Sequence, residues 1–359
     1  MNILTEKYMK KFLANVLAKA KKGEDITIVG FGGSITQGML ASVVKNRWLN
    51  LTVQWLKEKI PRSKITVVNL GIGATGSNIG VFRFDSAISK YRPDLIFVEF
   101  SVNDRGADNA TETFEGLIRK ILKYPGNPAV FVVVTCDSLL RNCEEAHLPV
   151  IQYYHLPMVS MKKELTINPN LDIPKIFFDA DGIHPNDNGH KLIADLIIKY
   201  MEKTLQKIEY IPKPLKSDMY EDTYLLNAEN TKPLKNEGWN IGGSKGIWYG
   251  QWWESSSSGN ILEIETAKCK GIGILVHSYS AANISIDGEI SKEINAEQGK
   301  WPIIMEPVFM ISTDLDCKKH KMKIVSTKAG FIVKAILLSG VKNVPKPGFL
   351  EIPNSVMTY

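Results

Sequence analysis

Short, mostly apolar runs at Ile26–Phe31, Ile65–Leu70, Leu95–Phe100, Val130–Thr135 and Lys175–Phe178 punctuate the first 208 residues, with helix-spaced stretches between them. The helical stretches lie at residues 6–21, around Trp48, Leu51, Val53, Trp55 and Leu56, and near 78–90, 111–124 and 189–207. Apolar strands without polar alternation, separated by helices, predict a parallel sheet covered on both faces, an α/β architecture. In such sheets a ligand binds beyond the carboxyl ends of the strands. The glycine-, serine- and asparagine-rich segments of this half all follow a strand.

Past residue 208 the helical period is lost. Ile211-Pro212-Lys213-Pro214-Leu215 reads as part of a linker over 209–222. Alternating runs then follow at Asn260–Glu265, Gly271–His277, Asn283–Asp287, Met322–Ser326 and Phe331–Leu338. Turn signals separate them at Ser255–Gly259, Asp287-Gly288 and Ala329-Gly330. This pattern predicts an all-β sandwich over 223–345, with a C-terminal tail at 346–359. Two domains agree with a chain of 359 residues.

Other function classes lose ground on composition. A net charge of +6 without a dense Lys/Arg run argues against nucleic acid as a partner. No window approaches the roughly 18 apolar residues of a membrane span. The N-terminus lacks the apolar core and cleavage site of a secretory signal, so a cytoplasmic location is expected. Cys136, Cys143, Cys269 and Cys317 form no C-x-x-C pair, and no His/carboxylate cluster has ligand spacing, so neither metal nor cofactor is expected.

Chemistry concentrates in four segments. In Phe31-Gly32-Gly33-Ser34-Ile35-Thr36-Gln37-Gly38, two glycines after a strand can present Ser34 on a tight turn, with helical N–H groups behind it. A dinucleotide-binding turn is the competing reading, but Ile35 stands where its third glycine belongs. Serine needs a base, and Asp181-Gly182-Ile183-His184-Pro185-Asn186 supplies one. Asp181 can accept from Nδ1 of His184 and leave Nε2 to take the serine proton. Asn69-Leu70-Gly71-Ile72-Gly73-Ala74-Thr75-Gly76 and Ser101-Val102-Asn103-Asp104 offer backbone and amide donors for an oxyanion. Asp104 is expected to brace its loop, and His147, His155, His190, His277 and His320 to be structural.

These four blocks, in this order, resemble the SGNH (GDSL-type) hydrolase superfamily over residues 26–200. The resemblance implies a flavodoxin-like three-layer sheet and a serine esterase. It makes Ser34, Asp181 and His184 catalytic, with oxyanion donors from Ser34, Asn103 and Gly73, the last in competition with Ala74. Gly33 and Ser101 depart from the family pattern, which has Asp and Gly there.

The second half is similar to the jelly-roll-like modules of carbohydrate acetylesterases. It holds five of the chain's seven tryptophans. Trp248, Trp252, Trp253 and Trp301 are the candidate sugar platforms. The implied reaction is deacetylation of O-acetylated manno- or xylo-oligosaccharides through an acyl-Ser34 intermediate. Transfer of the acetyl to a sugar, or carbohydrate binding without catalysis, are the alternatives. Oligomerisation, the sugar and the acetyl position are left open by the sequence.

Overall fold

The computed structural model describes residues 12–167, 172–203, 212–243, 250–277, 281–296, 307–343 and 356–358. The chain divides into two compact units. The first comprises residues 1–80, 90–216 and 353–359, and the second residues 81–89 and 217–352.

The first unit is built on parallel strands β1 (Ile26–Gly32), β2 (Ile65–Asn69), β3 (Leu95–Glu99), β4 (Ala129–Val134) and β5 (Met158–Ser160), in spatial order β2-β1-β3-β4-β5. Beta-branched and aromatic side chains fill both faces of β3 and β4, which are buried along their whole length. Its helices are α1 (Phe12–Lys21), α2 (Ser34–Gln37), α3 (Trp48–Lys59), α4 (Ser77–Ile88), α5 (Ala110–Leu122), α6 (Glu144–Tyr153), α7 (Met161–Leu165), α8 (Ile173–Phe177) and α9 (Asp187–Lys203), with α4 running on into the second unit. Trp48, Phe97, Phe131 and Ile193 belong to one core cluster. Trp48 meets Phe97 edge-on, with ring centroids 5.6 Å apart.

The segment Lys175–Phe178 corrects the expectation of a strand: residues Ile173–Phe177 are helical, and β5 takes the fifth place in the sheet. The reason is local. Asp172 caps the helix by accepting from the Lys175 N–H, and Pro174 sits in its first turn, where a missing N–H costs nothing.

The second unit is antiparallel. One sheet runs β13-β12-β15-β10-β7 and the other β14-β11-β16-β9-β8, with a further strand beside β16. In chain order these strands are β6 (Thr223–Leu226), β7 (Lys235–Glu237), β8 (Trp239–Gly242), β9 (Trp252–Ser255), β10 (Ile261–Glu265), β11 (Gly271–Val276), β12 (Ala281–Ile286), β13 (Ile290–Asn295), β14 (Val308–Ser312), β15 (Lys321–Ser326) and β16 (Ile332–Ser339). Leu262, Ile264, Ile284 and Ile324 of the first sheet share one core with Ile272, Ile274, Ile336 and Leu338 of the second. Alternation along β10 buries Leu262 and Ile264 and leaves their neighbours at the surface side. Asp287 and Gly288 reverse the chain between β12 and β13 with φ of 54° and 80°, as a tight hairpin requires.

Candidate active site

Ser34 stands immediately beyond β1, as the first residue of α2, and is 7% exposed. The chain turns there because two glycines let other groups come close. A Cβ on Gly32 would lie 2.4 Å from the Glu99 carbonyl oxygen, and one on Gly33 2.4 Å from Asn103 Oδ1. Gly33 therefore replaces the family's Asp in a space that the Asn103 side chain occupies. From the other side, the Trp48 indole N–H donates to the Ile35 carbonyl at 3.2 Å. A glycine-rich loop after β2 closes on the same turn. Asn69 Nδ2 donates to the Thr36 carbonyl, and the Gly71 N–H donates to Asn69 Oδ1. Gly71 also lies so near α2 that a Cβ would sit 2.2 Å from the Gln37 nitrogen.

His184 reaches this turn from the loop before α9. Its Nε2 lies 2.8 Å from Ser34 Oγ, and its Nδ1 lies 2.5 Å from Asp181 Oδ2. The other Asp181 oxygen accepts the backbone N–H groups of Ile183 and His184, at 2.8 and 2.9 Å. One carboxylate thus shapes its own loop and orients the ring. Partial burial raises the Asp181 pKa, but hydrogen bonds from the His184 ring and the two backbone N–H groups outweigh it, holding the carboxyl below its usual range. Gly182, at φ of 65°, lets the loop turn, and its carbonyl accepts from the Ser138 N–H.

The expected oxyanion donors come to the same place. A Cβ on Gly73 would lie 3.9 Å from Ser34 Cβ, and the Asn103 amide packs on Gly33. Ala74 takes a left-handed φ of 58°, unusual for a residue with a side chain. Ser101, where the family has glycine, is fully buried and useful: its Oγ donates to the Thr135 carbonyl at 2.9 Å and accepts the Thr135 N–H at 2.8 Å. A hydroxyl just beyond β3 thereby ties it to the residue that follows β4.

Other polar groups behind the site carried a weaker signal in the sequence. Glu99, 1% exposed at the end of β3, accepts from Thr36 Oγ1 at 3.0 Å and Thr135 Oγ1 at 2.8 Å. Burial pushes its carboxyl up from the ordinary value. His190, buried near the start of α9, lies with Nε2 3.2 Å from the Met39 carbonyl, just after α2. Burial lowers its pKa. Glu99 is a polar residue closing an otherwise apolar strand, and that position marks it in the sequence.

The candidate tryptophans divide. Trp253 is a correction: it is 1% exposed within the sandwich core and presents no face to a sugar. Trp252, its neighbour on β9, is half-buried, with Gly242 and Gly243 close against the ring and Lys334 Nζ 5.7 Å from its centroid. Trp248 and Trp301 lie outside the described residues. Among the described residues no cluster of His, Cys, Asp and Glu could hold a metal ion, and no helix is long and apolar enough to cross a membrane.

A serine, an imidazole and a carboxylate in this relay can perform nucleophilic acyl transfer. Known proteins share the fold around it. Residues 31–192 match the GDSL-like Lipase/Acylhydrolase family. A crystal structure of a two-domain esterase active on acetylated mannans, co-crystallised with mannopentaose, is similar with a TM-score of 0.83 and 26% identity, covering 95% of this chain and 99% of that one. A second structure of such an esterase gives the same score over 94% of this chain. The thioesterase 1/protease 1/lysophospholipase L1 of Escherichia coli (strain K12) is 23% identical over 200 residues, 53% of this chain and 89% of that protein. The chain therefore carries, over residues 31–192, a domain matched by the GDSL-like acylhydrolase family, together with a β domain, and is a carboxylic ester hydrolase.

Proposed function

We propose that this enzyme removes acetyl groups from O-acetylated oligosaccharides, with manno-oligosaccharides as the first class to test and xylo-oligosaccharides as the second. The observation that carries the chemistry is the 2.8 Å contact between His184 Nε2 and Ser34 Oγ. As Oγ attacks the acetyl carbonyl, its proton passes to Nε2. The carbonyl oxygen gains negative charge facing the N–H groups of Ser34 and Gly73 and the Nδ2 of Asn103. The imidazolium, steadied by Asp181, returns the proton to the departing sugar oxygen. Water then attacks acetyl-Ser34 with His184 again as base, releasing acetate and restoring the hydroxyl. Likeness to the mannan-active esterase along nearly the full length of both chains supports the choice of substrate.

The full chain is expected to release acetate from acetylated manno-oligosaccharides, and Ser34→Ala to lower kcat by about 10⁴-fold or more. Undiminished turnover by Ser34→Ala would refute the mechanism. Activity confined to long-chain or phospholipid esters would refute the substrate, and acetyl passed to a sugar rather than to water would make the enzyme a transferase.

A further inference from the structure

A second histidine–carboxylate pair lies in the same unit as Ser34. His147 of α6 is 1% exposed and Asp104 is fully buried. His147 Nε2 stands 2.7 Å from Asp104 Oδ2, while Asp104 Oδ1 accepts the Ser77 N–H at 2.6 Å. We propose that His147 is a positioning residue for the oxyanion-binding loops, acting through Asp104. The inference rests on the reading of Gly73 and Asn103 as oxyanion donors.

Asp104 follows Asn103 directly, and Ser77 closes the glycine-rich loop that carries Gly73. One carboxylate therefore bridges the two segments that supply those donors, and His147 holds the carboxylate. The approach is tight: a Cβ on Gly76 would lie 2.4 Å from Asp104 Oδ1. The histidine is itself held. Its ring stacks on Phe114 of α5, with centroids 3.9 Å apart and planes 10° from parallel. The start of α6 is tied to the same loop, since the Cys143 N–H donates to the Ser101 carbonyl at 2.7 Å. Ser77 Oγ lies 2.8 Å from Thr113 Oγ1, adding a second link to α5.

A buried carboxylate is costly unless its oxygens are satisfied, so removing the imidazole leaves Oδ2 to seek another partner and pulls on both loops. Oxyanion donors must meet a tetrahedral oxygen within a few tenths of an ångström, and a displacement of about 1 Å can cost about 10²-fold in rate. The ground-state ester depends far less on them. The consequence belongs to kcat rather than KM.

The test uses the full chain with 4-nitrophenyl acetate, expressing kcat per site titrated with a fluorophosphonate, and measures the affinity of methylboronic acid as a tetrahedral mimic. His147→Phe, which keeps a ring against Phe114, is expected to lower kcat about 10- to 100-fold with KM within about threefold. The boronate should weaken by a similar factor. His147→Gln, which still offers an N–H, should recover part of the loss. Asp104→Asn combined with His147→Phe should cost less than the two losses multiplied together, because both act on one link. The inference is overturned if the folded His147 variants keep kcat per titrated site within twofold of wild type. It is equally overturned if boronate affinity is unchanged while only Tm falls. Active His147 variants beside an inactive Ser34→Ala would sink this inference alone, whereas an active Ser34→Ala would sink the proposed mechanism.

Discussion

Ser34, Asp181 and His184 carry different amounts of local information. Asp181 and His184 are three residues apart, and their contact is made within one loop by hydrogen bonds that the Asp-x-x-His spacing permits. Ser34 is 150 residues from His184, and nothing local brings them to 2.8 Å. Asn103 is the residue on which the oxyanion assignment can be checked most directly. Asn103→Ala is expected to lower kcat about 10²- to 10³-fold with little change in KM, measured by steady-state hydrolysis of an acetate ester. Trp253 shows how a residue-type argument fails when strand geometry is left out. Successive side chains of a strand point to opposite faces, so of the adjacent pair on β9 only one can face outward, and Trp253 is the one in the core.

The strand ends turn sequence into a site. β1, β2 and β3 finish in Gly32, Asn69 and Glu99, and the turns beyond them meet. Glu99 joins α2 to β4 through two threonine hydroxyls, and burial raises its pKa. A carboxyl whose folded pKa is raised adds stability that is complete below its unfolded value of about 4.3 and is lost as pH rises through the folded value. Glu99→Gln, an amide of the same shape, removes that loss. Its Tm relative to wild type should therefore climb between pH 4 and 8, and a difference that stays flat or falls would show that the buried carboxyl is not the cause. The strands themselves were legible because burial on both faces of the sheet demands continuous apolar runs. β5, with three residues, is too short to leave such a run, and in α8 the Asp172 cap and Pro174 set a helix start that the apolar content of Lys175–Phe178 masks.

At the scale of the whole molecule, the chain's end returns to its beginning. β17 (Val356–Thr358) pairs antiparallel with β2, through Val356–Val68, Met357–Val67 and Thr358–Thr66. The last seven residues thus belong to the first unit, although residues 217–352 of the second unit intervene in sequence. Deleting residues 353–359 uncovers β2 as a sheet edge. Loss of these ladder bonds should lower stability by about 1–3 kcal/mol, read by thermal and denaturant unfolding, and should promote association through the bare edge. An unchanged Tm and monodisperse behaviour would show that β17 contributes nothing.

By itself the sequence determined what depends on neighbours along the chain: the α/β pattern giving way to alternating strands, the glycine turn before Ser34, and the loop in which Asp181 holds His184. Period, capping and turn chemistry act over a few residues and are written where they act. Only the tertiary structure decided the spatial order of the strands, the hydrogen bonds that Ser101 makes in place of glycine, the link from His147 through Asp104 to Ser77, and the return of β17. Each of these is settled by which distant surfaces bury one another, a competition that no local stretch of chain encodes.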